Sequence, residues 1–500
     1  MTPTLAQSAA NYIDGSFQPL TGEEIVSVNP ARPGEIIWQG AADVSHIDKA
    51  VDAARRALPD WANRSFDERV DALRRWQSVV QKHAERIAKL ITDETGKTLA
   101  EGRAEAKLLS SKVDITLGDE SMRRVREYEV NVTETRSGRC RFKPHGVMAI
   151  IGPFNFPAHL PNGHWVPAML TGNTIVFKPS EKTPAVGQLV AELMDEAEIP
   201  PGVFNVVQGA GDIAAQLVDH NDIDGILFTG SWPVGRRILE TNLDRSGRII
   251  ALEMGGNNPA VIMPDAPLKQ AVLECVRAGF ATTGQRCTCT RRVIVHADIA
   301  ERVIALFAKV TSMLVVGPGD ADEPVFMGPI ITDQARRNVL DFQNDLVKDG
   351  GRLIVEAAAP EDTDGYFITP GIVEVDGFDR EHDCEVFGPL VQVCVVNSLD
   401  EAIKQANATQ YGLAASIFTS DEATFDTFFR DVNAGIINWN VGTAGASSKL
   451  PFGGVGHSGN HRPAGVFAMD YCAYPIANMI EQSRDVAVPD GVPWDDRWVE

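Results

Sequence analysis

The chain has 500 residues, and 46 lysines and arginines against 68 aspartates and glutamates leave a net charge of −22. With 44% hydrophobic and 23% charged residues it reads as a soluble globular protein of about two to four domains, which excludes a disordered chain. The cation deficit excludes a nucleic-acid backbone as main partner. It leaves open a small anionic ligand, which senses only the local field of its pocket.

The opening MTPTLAQSAANYIDGSF has no basic start followed by an apolar run, so no secretory signal is expected. No apolar run is long enough for a membrane span; Val147–Ile151 is soon interrupted by Pro153, Pro157 and Pro161. The seven cysteines are Cys140, Cys275, Cys287, Cys289, Cys384, Cys394 and Cys472. An odd, sparse set argues against a disulfide framework and for a reducing cytoplasm.

Residues 45–118 read as helices. Ile47, Val51, Ala54 and Leu58 fall at helical spacing, and a second helix is predicted from Phe66 to Thr92 with Asn63 or Ser65 as its cap. From Ser121 to Phe142 alternation predicts an antiparallel hairpin turning at Ser137-Gly138. Its open edge suggests pairing with another subunit.

Short apolar runs then alternate with helical stretches. The runs are Val147–Ile151, Thr174–Phe177, Phe204–Val207, Gly225–Phe228 and Ile249–Leu252, with helices such as Ala185–Glu198 and Ile213–Asp219 between them. A second series follows at Ala260–Ile262, Arg292–His296, Leu353–Val355, Gln392–Val396, Ala415–Phe418 and Gly435–Asn438. The fold class is α/β: two doubly wound, largely parallel units plus a small β extension. The acidic, proline-containing tail from Glu481 reads as an extended arm.

Several residues are candidates for chemistry. Cys287, in GQRCTC beside Arg286, is either a nucleophile with a stabilised thiolate or a buried structural thiol. Glu253 ends an apolar strand and precedes Gly255-Gly256, which suits a general base; a capping carboxylate is the alternative. Asn155, between Pro153 and Pro157, is an oxyanion donor or a turn residue. Gly230-Ser231 to Gly235 opens a helix after a strand, as does Gly209-Ala210-Gly211; each is a phosphate-loop candidate or a tight turn. The literal G-x-G-x-x-G at Gly454–Gly459 lacks a leading strand. Lys178, Ser180 and Glu181 place a cation and a carboxylate where a ribose could sit. No metal-ligand spacing is found, so no metal is expected.

Taken together, PFNFP at 153–157, FKPSE at 177–181, FTGS at 228–231, LEMGG at 252–256, GQRC at 284–287, EVFGP at 385–389 and PFGG at 451–454 resemble the aldehyde dehydrogenase superfamily, from Tyr12 to Pro475. EMGGNNP, GQRCTCTRR and FGGVGHSGNHRP resemble the subgroup that oxidises N-succinylglutamate 5-semialdehyde in bacterial arginine catabolism; His457 stands where many other members have lysine.

The resemblance implies an NAD-dependent oxidation of a small, anionic aldehyde. Cys287 would be nucleophile, Glu253 base and Asn155 oxyanion donor. Phe154, Lys178, Ser180, Glu181, Gly230, Ser231, Gly235, Glu385 and Phe387 would bind the cofactor. Candidates for the substrate's remote carboxylates are His159, Arg291, His461 and Arg462, with Lys449 considered and His164 read as a packed helix residue. Residues 1–120 and 143–253, with 454–470 returning, would form an NAD-binding domain, and 254–453 the catalytic domain. Residues 121–142 and 471–490 would supply oligomerisation strands and tail, giving a homodimer or homotetramer.

Overall fold

The structure is a computed structural model that describes residues 5–379 and 383–500. The first four residues of the predicted 1–120 segment therefore lie outside the described chain.

Five parallel strands form the first sheet in the spatial order Ile249–Met254, Gly225–Gly230, Val147–Ile151, Thr174–Lys178 and Phe204–Val206. Ala10–Ile13 and Ser16–Pro19 extend it antiparallel. Every residue of Val147–Ile151 and of Thr174–Lys178 is buried, as a strand covered on both faces requires. The winding reverses between Val147–Ile151 and Gly225–Gly230, so a crevice opens beyond their carboxyl ends.

The helices that cover this sheet start where side chains satisfy orphan amides. Ser65 and Thr98 each form a capping box, with Glu68 and Glu101. The helix predicted over 66–92 is in fact two, Phe66–Lys82 and Ala84–Thr95, because His83 leaves helical geometry (φ −103°, ψ 15°). Ser65 caps the first, whereas Asn63 ends the helix before it.

The second sheet runs Arg352–Val355, Gly371–Glu374, Leu390–Val396, Thr290–His296, Asn258–Ile262, Ala414–Phe418 and Ile436–Trp439, parallel except at its first pair. Gly371–Glu374 and the separate hairpin of Glu23–Asn29 with Arg32–Ala42 were not anticipated. Only Gly255-Gly256-Asn257 links the end of strand Ile249–Met254 to the start of Asn258–Ile262. The carboxyl ends of one sheet thus meet the amino ends of the other.

The small sheet is Ala473–Glu481, Arg136–Pro144 and Tyr128–Asn131, all antiparallel. The predicted hairpin exists but is shifted. Residues 119–125 are helical, the reversal lies between Asn131 and Arg136, and Ser137-Gly138 sits within a strand, opposite Asn131 and Val130. Tyr128 is 60% exposed and Val130 50%. Among the described residues no helix is long and apolar enough to cross a membrane.

The outer edge of strand Ile249–Met254 is closed by a side chain. Asn460 Oδ1 accepts from Leu252 N–H (2.8 Å), its Nδ2 donates to Ile250 O (3.0 Å), and its own N–H donates to Leu252 O (3.1 Å). Gly459 makes this approach possible: at φ 142° it stands where an added Cβ would lie 2.3 Å from Leu252 O. Asn460→Ala leaves a strand donor and acceptor unpaired, so it is expected to cost about 1–3 kcal/mol. Urea denaturation would read this as a lower midpoint with an unchanged slope.

Candidate active site

The meeting of the sheets gathers side chains that are far apart in sequence. Glu253 comes from the end of strand Ile249–Met254, and Asn155 from the turn after Val147–Ile151. Cys287 precedes strand Thr290–His296, and Glu385 precedes Leu390–Val396. The two glycines of the link make room for them. A Cβ on Gly255 would lie 1.8 Å from Glu385 Oε2, and one on Gly256 would lie 2.8 Å from Cys287 O. Gly256 N–H instead donates to Glu385 Oε1 (3.1 Å).

The turn before Cys287 is strained. Thr282, Thr283 and Gly284 take φ of 56°, 56° and 67°. Left-handed backbone costs a β-branched residue about 1–3 kcal/mol. Side-chain bonds hold it: the Thr282 hydroxyl donates to Glu101 Oε1 (2.6 Å) and that of Thr283 to Gly328 O (2.8 Å). Asn258 Nδ2 donates to Cys287 O (2.7 Å) and Cys289 O (2.8 Å). Asn155 Nδ2 donates to Gln285 O (2.9 Å), which brings that amide to the cysteine loop. Asn258 and Glu101 escaped sequence reasoning. The second asparagine of GGNNP, facing a close-packed glycine, was the available signal for Asn258.

The site is electrostatically unusual. Glu253 is 1% exposed, and neither carboxyl oxygen has a hydrogen-bond partner. Burial pushes its pKa well above the ordinary carboxylate range; Arg462 opposes this and Glu385 adds to it. Burial also raises Glu385 to about 7, against Arg291 and the Gly256 N–H. The Cys287 thiol is likewise pushed well up, by burial first and then by Glu253 and Glu385. This corrects the expectation of a thiolate stabilised by Arg286. That guanidinium turns away, donating from Nε to Thr282 Oγ1 (2.7 Å) and from Nη2 to Glu101 Oε1 (3.1 Å). A thiol, a buried carboxyl and an amide donor together can perform nucleophilic chemistry at a carbonyl.

Other candidates flank the crevice. Phe154 and Phe387 meet edge to face, ring centroids 5.7 Å apart. Lys178 is buried at its strand's end with Nζ 3.4 Å from Glu181 Oε2, and Ser180 Oγ accepts from Lys182 N–H (3.3 Å). Ser231 starts helix Trp232–Thr241 without a side-chain cap bond, so first-turn amides remain for an anion. Gly230 ends the strand before it, and Gly235 lets Met254 pack: a Cβ there would lie 2.3 Å from Met254 Sδ. His457 stacks on Trp232 (3.8 Å, 10°).

The proposed substrate cations separate. Burial, then Lys112 and Lys97, lowers His159 to about 3, so its ring is neutral near pH 7 and departs from the expected cation. Arg291 is 2% exposed and donates to Gly388 O (2.9 Å) and Arg286 O (3.2 Å). His461 is exposed and Arg462 half-buried, on consecutive left-handed residues (φ 54° and 52°). Lys449 is exposed. His164 is a buried helix residue bonded to Tyr471 Oη (2.7 Å) and Thr229 Oγ1 (3.2 Å).

Comparison with known proteins places this geometry. The chain is 42% identical over 479 residues to an N-succinylglutamate 5-semialdehyde dehydrogenase of Caulobacter sp. (strain K31), covering 94% of this chain and 96% of the relative. It is 41% identical over 489 residues to the protein of the same name from Paraburkholderia xenovorans (strain LB400), covering 96% and 98%. The crystal structure of PnpE from Pseudomonas sp. WBC-3 superposes with a TM-score of 0.91 at 31% identity, over 97% of this chain and 100% of that one. PnpE has also been solved in complex with nicotinamide adenine dinucleotide. Residues 17–475 match the Aldehyde dehydrogenase family, and the chain belongs to it.

Proposed function

We propose that this enzyme oxidises N-succinylglutamate 5-semialdehyde to N-succinylglutamate with NAD, through intermediates held on Cys287. The observation that carries the mechanism is the buried, unpartnered carboxyl of Glu253 beside the Cys287 thiol. The relatives named for this substrate, at 41–42% identity over more than nine tenths of the chain, support its choice.

The residues fit a dinucleotide. The uncapped start of helix Trp232–Thr241, with Gly230, Ser231 and Gly235, suits a pyrophosphate. Lys178, Ser180 and Glu181 suit a ribose, and a carboxylate there favours a free 2′-hydroxyl. Glu385, Phe387 and Phe154 would hold the nicotinamide end. Bound there, NAD would supply the acceptor for the hydride that leaves the aldehyde carbon.

Cys287 adds to that carbon as its proton leaves to solvent, and the second N–H of Asn155, with the Cys287 amide, stabilises the oxyanion. The resulting thioester is hydrolysed by water that Glu253 deprotonates. A base with a raised pKa is suited to that work near neutral pH. His461 and Arg462 are proposed to meet the remote carboxylates. The first sheet with its helices would be the cofactor-binding domain and the second the catalytic one. The exposed three-stranded sheet supports a homodimer or homotetramer, and seven free thiols support a cytoplasmic setting.

Cys287→Ala is expected to abolish formation of reduced cofactor. Glu253→Gln should release about one equivalent per site and then turn over about 10²–10⁴-fold more slowly. Stopped-flow absorbance of the reduced cofactor separates the two, and full multiple turnover in either variant rejects the mechanism.

The same Glu253→Gln change has two pH signatures. It removes a carboxyl that raises the Cys287 pKa, so the iodoacetamide alkylation profile should move to lower pH. The folded Glu253 also keeps a proton that the unfolded chain releases. Its stabilising contribution is therefore full below the ordinary carboxylate pKa and is lost as pH rises. The variant should melt higher than wild type at pH 8, with the difference shrinking toward pH 5 by scanning calorimetry.

For the substrate, kcat/KM should favour N-succinylglutamate 5-semialdehyde over butanal by about 10²-fold or more, as an unpaired-carboxylate penalty implies. Equal values would sink the assignment.

A further inference from the structure

Of the three carboxylates on helix Leu99–Leu117, Glu101 and Glu105 lie one turn apart on one face. Glu101 divides its oxygens. Oε2 accepts from Thr98 in the capping box, while Oε1 accepts from Thr282 Oγ1 (2.6 Å) and Arg286 Nη2 (3.1 Å). Its second oxygen therefore fastens the left-handed turn that delivers Cys287. Glu105 does the same for the other half of the site. Its Oε1 accepts the amides of Ala158 (3.1 Å) and His159 (3.0 Å), where the Asn155 turn enters helix His159–Leu170.

A third contact joins the halves. Glu105 Oε2 pairs with Lys97 Nζ (2.6 Å), both side chains at most 1% exposed. Lys97 Nζ lies 3.5 Å and Arg286 Cζ 5.5 Å from the ring centroid of Phe156, next to Asn155. Two ion pairs thus grip one ring that moves with Asn155, and one of them also grips the turn before Cys287. A buried ion pair is a poor way to gain stability, since hydrophobic replacements often do as well. It is a good way to fix a distance, because both partners are costly to displace.

We propose that Glu101 and Glu105 are positioning residues that set the spacing between the Cys287 thiol and the Asn155 amide. The proposal rests on the reading of Cys287 as nucleophile and adds what aligns it. Misplacement by about an ångström costs an addition step roughly 10²-fold. It should leave the ribose and pyrophosphate part of the cofactor site, on strands Thr174–Lys178 and Gly225–Gly230, unaffected.

The test is pre-steady-state kinetics on the full-length enzyme with saturating NAD and aldehyde. Glu101→Ala removes the acceptor and should slow the burst of reduced cofactor about 10–100-fold until the burst phase vanishes, with the NAD dissociation constant within about twofold. Glu101→Gln keeps an acceptor oxygen at the same reach and should retain the burst within about fivefold. Glu101→Asp keeps the charge but shortens the reach, and should fall with Glu101→Ala. If Glu101→Ala does not fold, the Gln and Asp variants alone decide. A burst of wild-type rate in Glu101→Asp, or equal losses in the Gln and Asp variants, overturns the proposal. So does loss of NAD affinity in parallel with the burst. A wild-type oxidation that survives Cys287→Ala would instead overturn the nucleophile reading itself, which this control identifies separately.

Discussion

A carboxyl group with no hydrogen-bond partner is buried where two sheets abut, and the neighbourhood is arranged around that cost. Leaving Glu253 unpaired is unfavourable in any fold. It is tolerated because strand Ile249–Met254 is held on both edges, by strand Gly225–Gly230 and by Asn460. The link to the second sheet has no side chains at Gly255 and Gly256, so Glu385 and the Cys287 carbonyl close over it. Desolvation then couples the groups: burial pushes Glu253, Glu385 and Cys287 all upward from their ordinary pKa values, and the neighbouring carboxylates add to it at Glu253 and Cys287.

The backbone order was largely readable because parallel strands buried on both faces are continuous apolar runs. Val147–Ile151 is such a run, and Ala414–Phe418 is one apart from Ser416. Gly371–Glu374 is a short run between a proline and an acidic stretch and carries no comparable signal. The turn at 132–135 was misplaced because Ser137-Gly138 has turn composition, yet pairing with Ala473–Glu481, distant in sequence, keeps it extended. At the site, the motifs pointed to residue identities but not to protonation. Arg286 adjoins Cys287 in sequence, but its guanidinium answers to Glu101 on another helix. Only the three-dimensional arrangement reveals that.

The net charge of −22 has a local counterpart. Several cations near the crevice are already engaged: Lys97 with Glu105, Lys178 with Glu181, Arg291 with backbone carbonyls. Burial pushes Lys97, Lys112 and His159 toward their neutral forms, and at His159 the charges of Lys112 and Lys97 add to it. Arg462 is engaged as Arg291 is, donating from Nη1 to Gly454 O (2.6 Å), whereas His461 on the same turn is exposed.

Asn460 lies near the end of the chain, yet it completes the strand that carries Glu253. During synthesis the first sheet can assemble its five parallel strands well before that residue leaves the ribosome. Until then the Leu252 N–H and the carbonyls of Ile250 and Leu252 lack the partners that Asn460 gives them. The strand that carries Glu253 is thus completed late, by a residue 208 positions beyond Leu252.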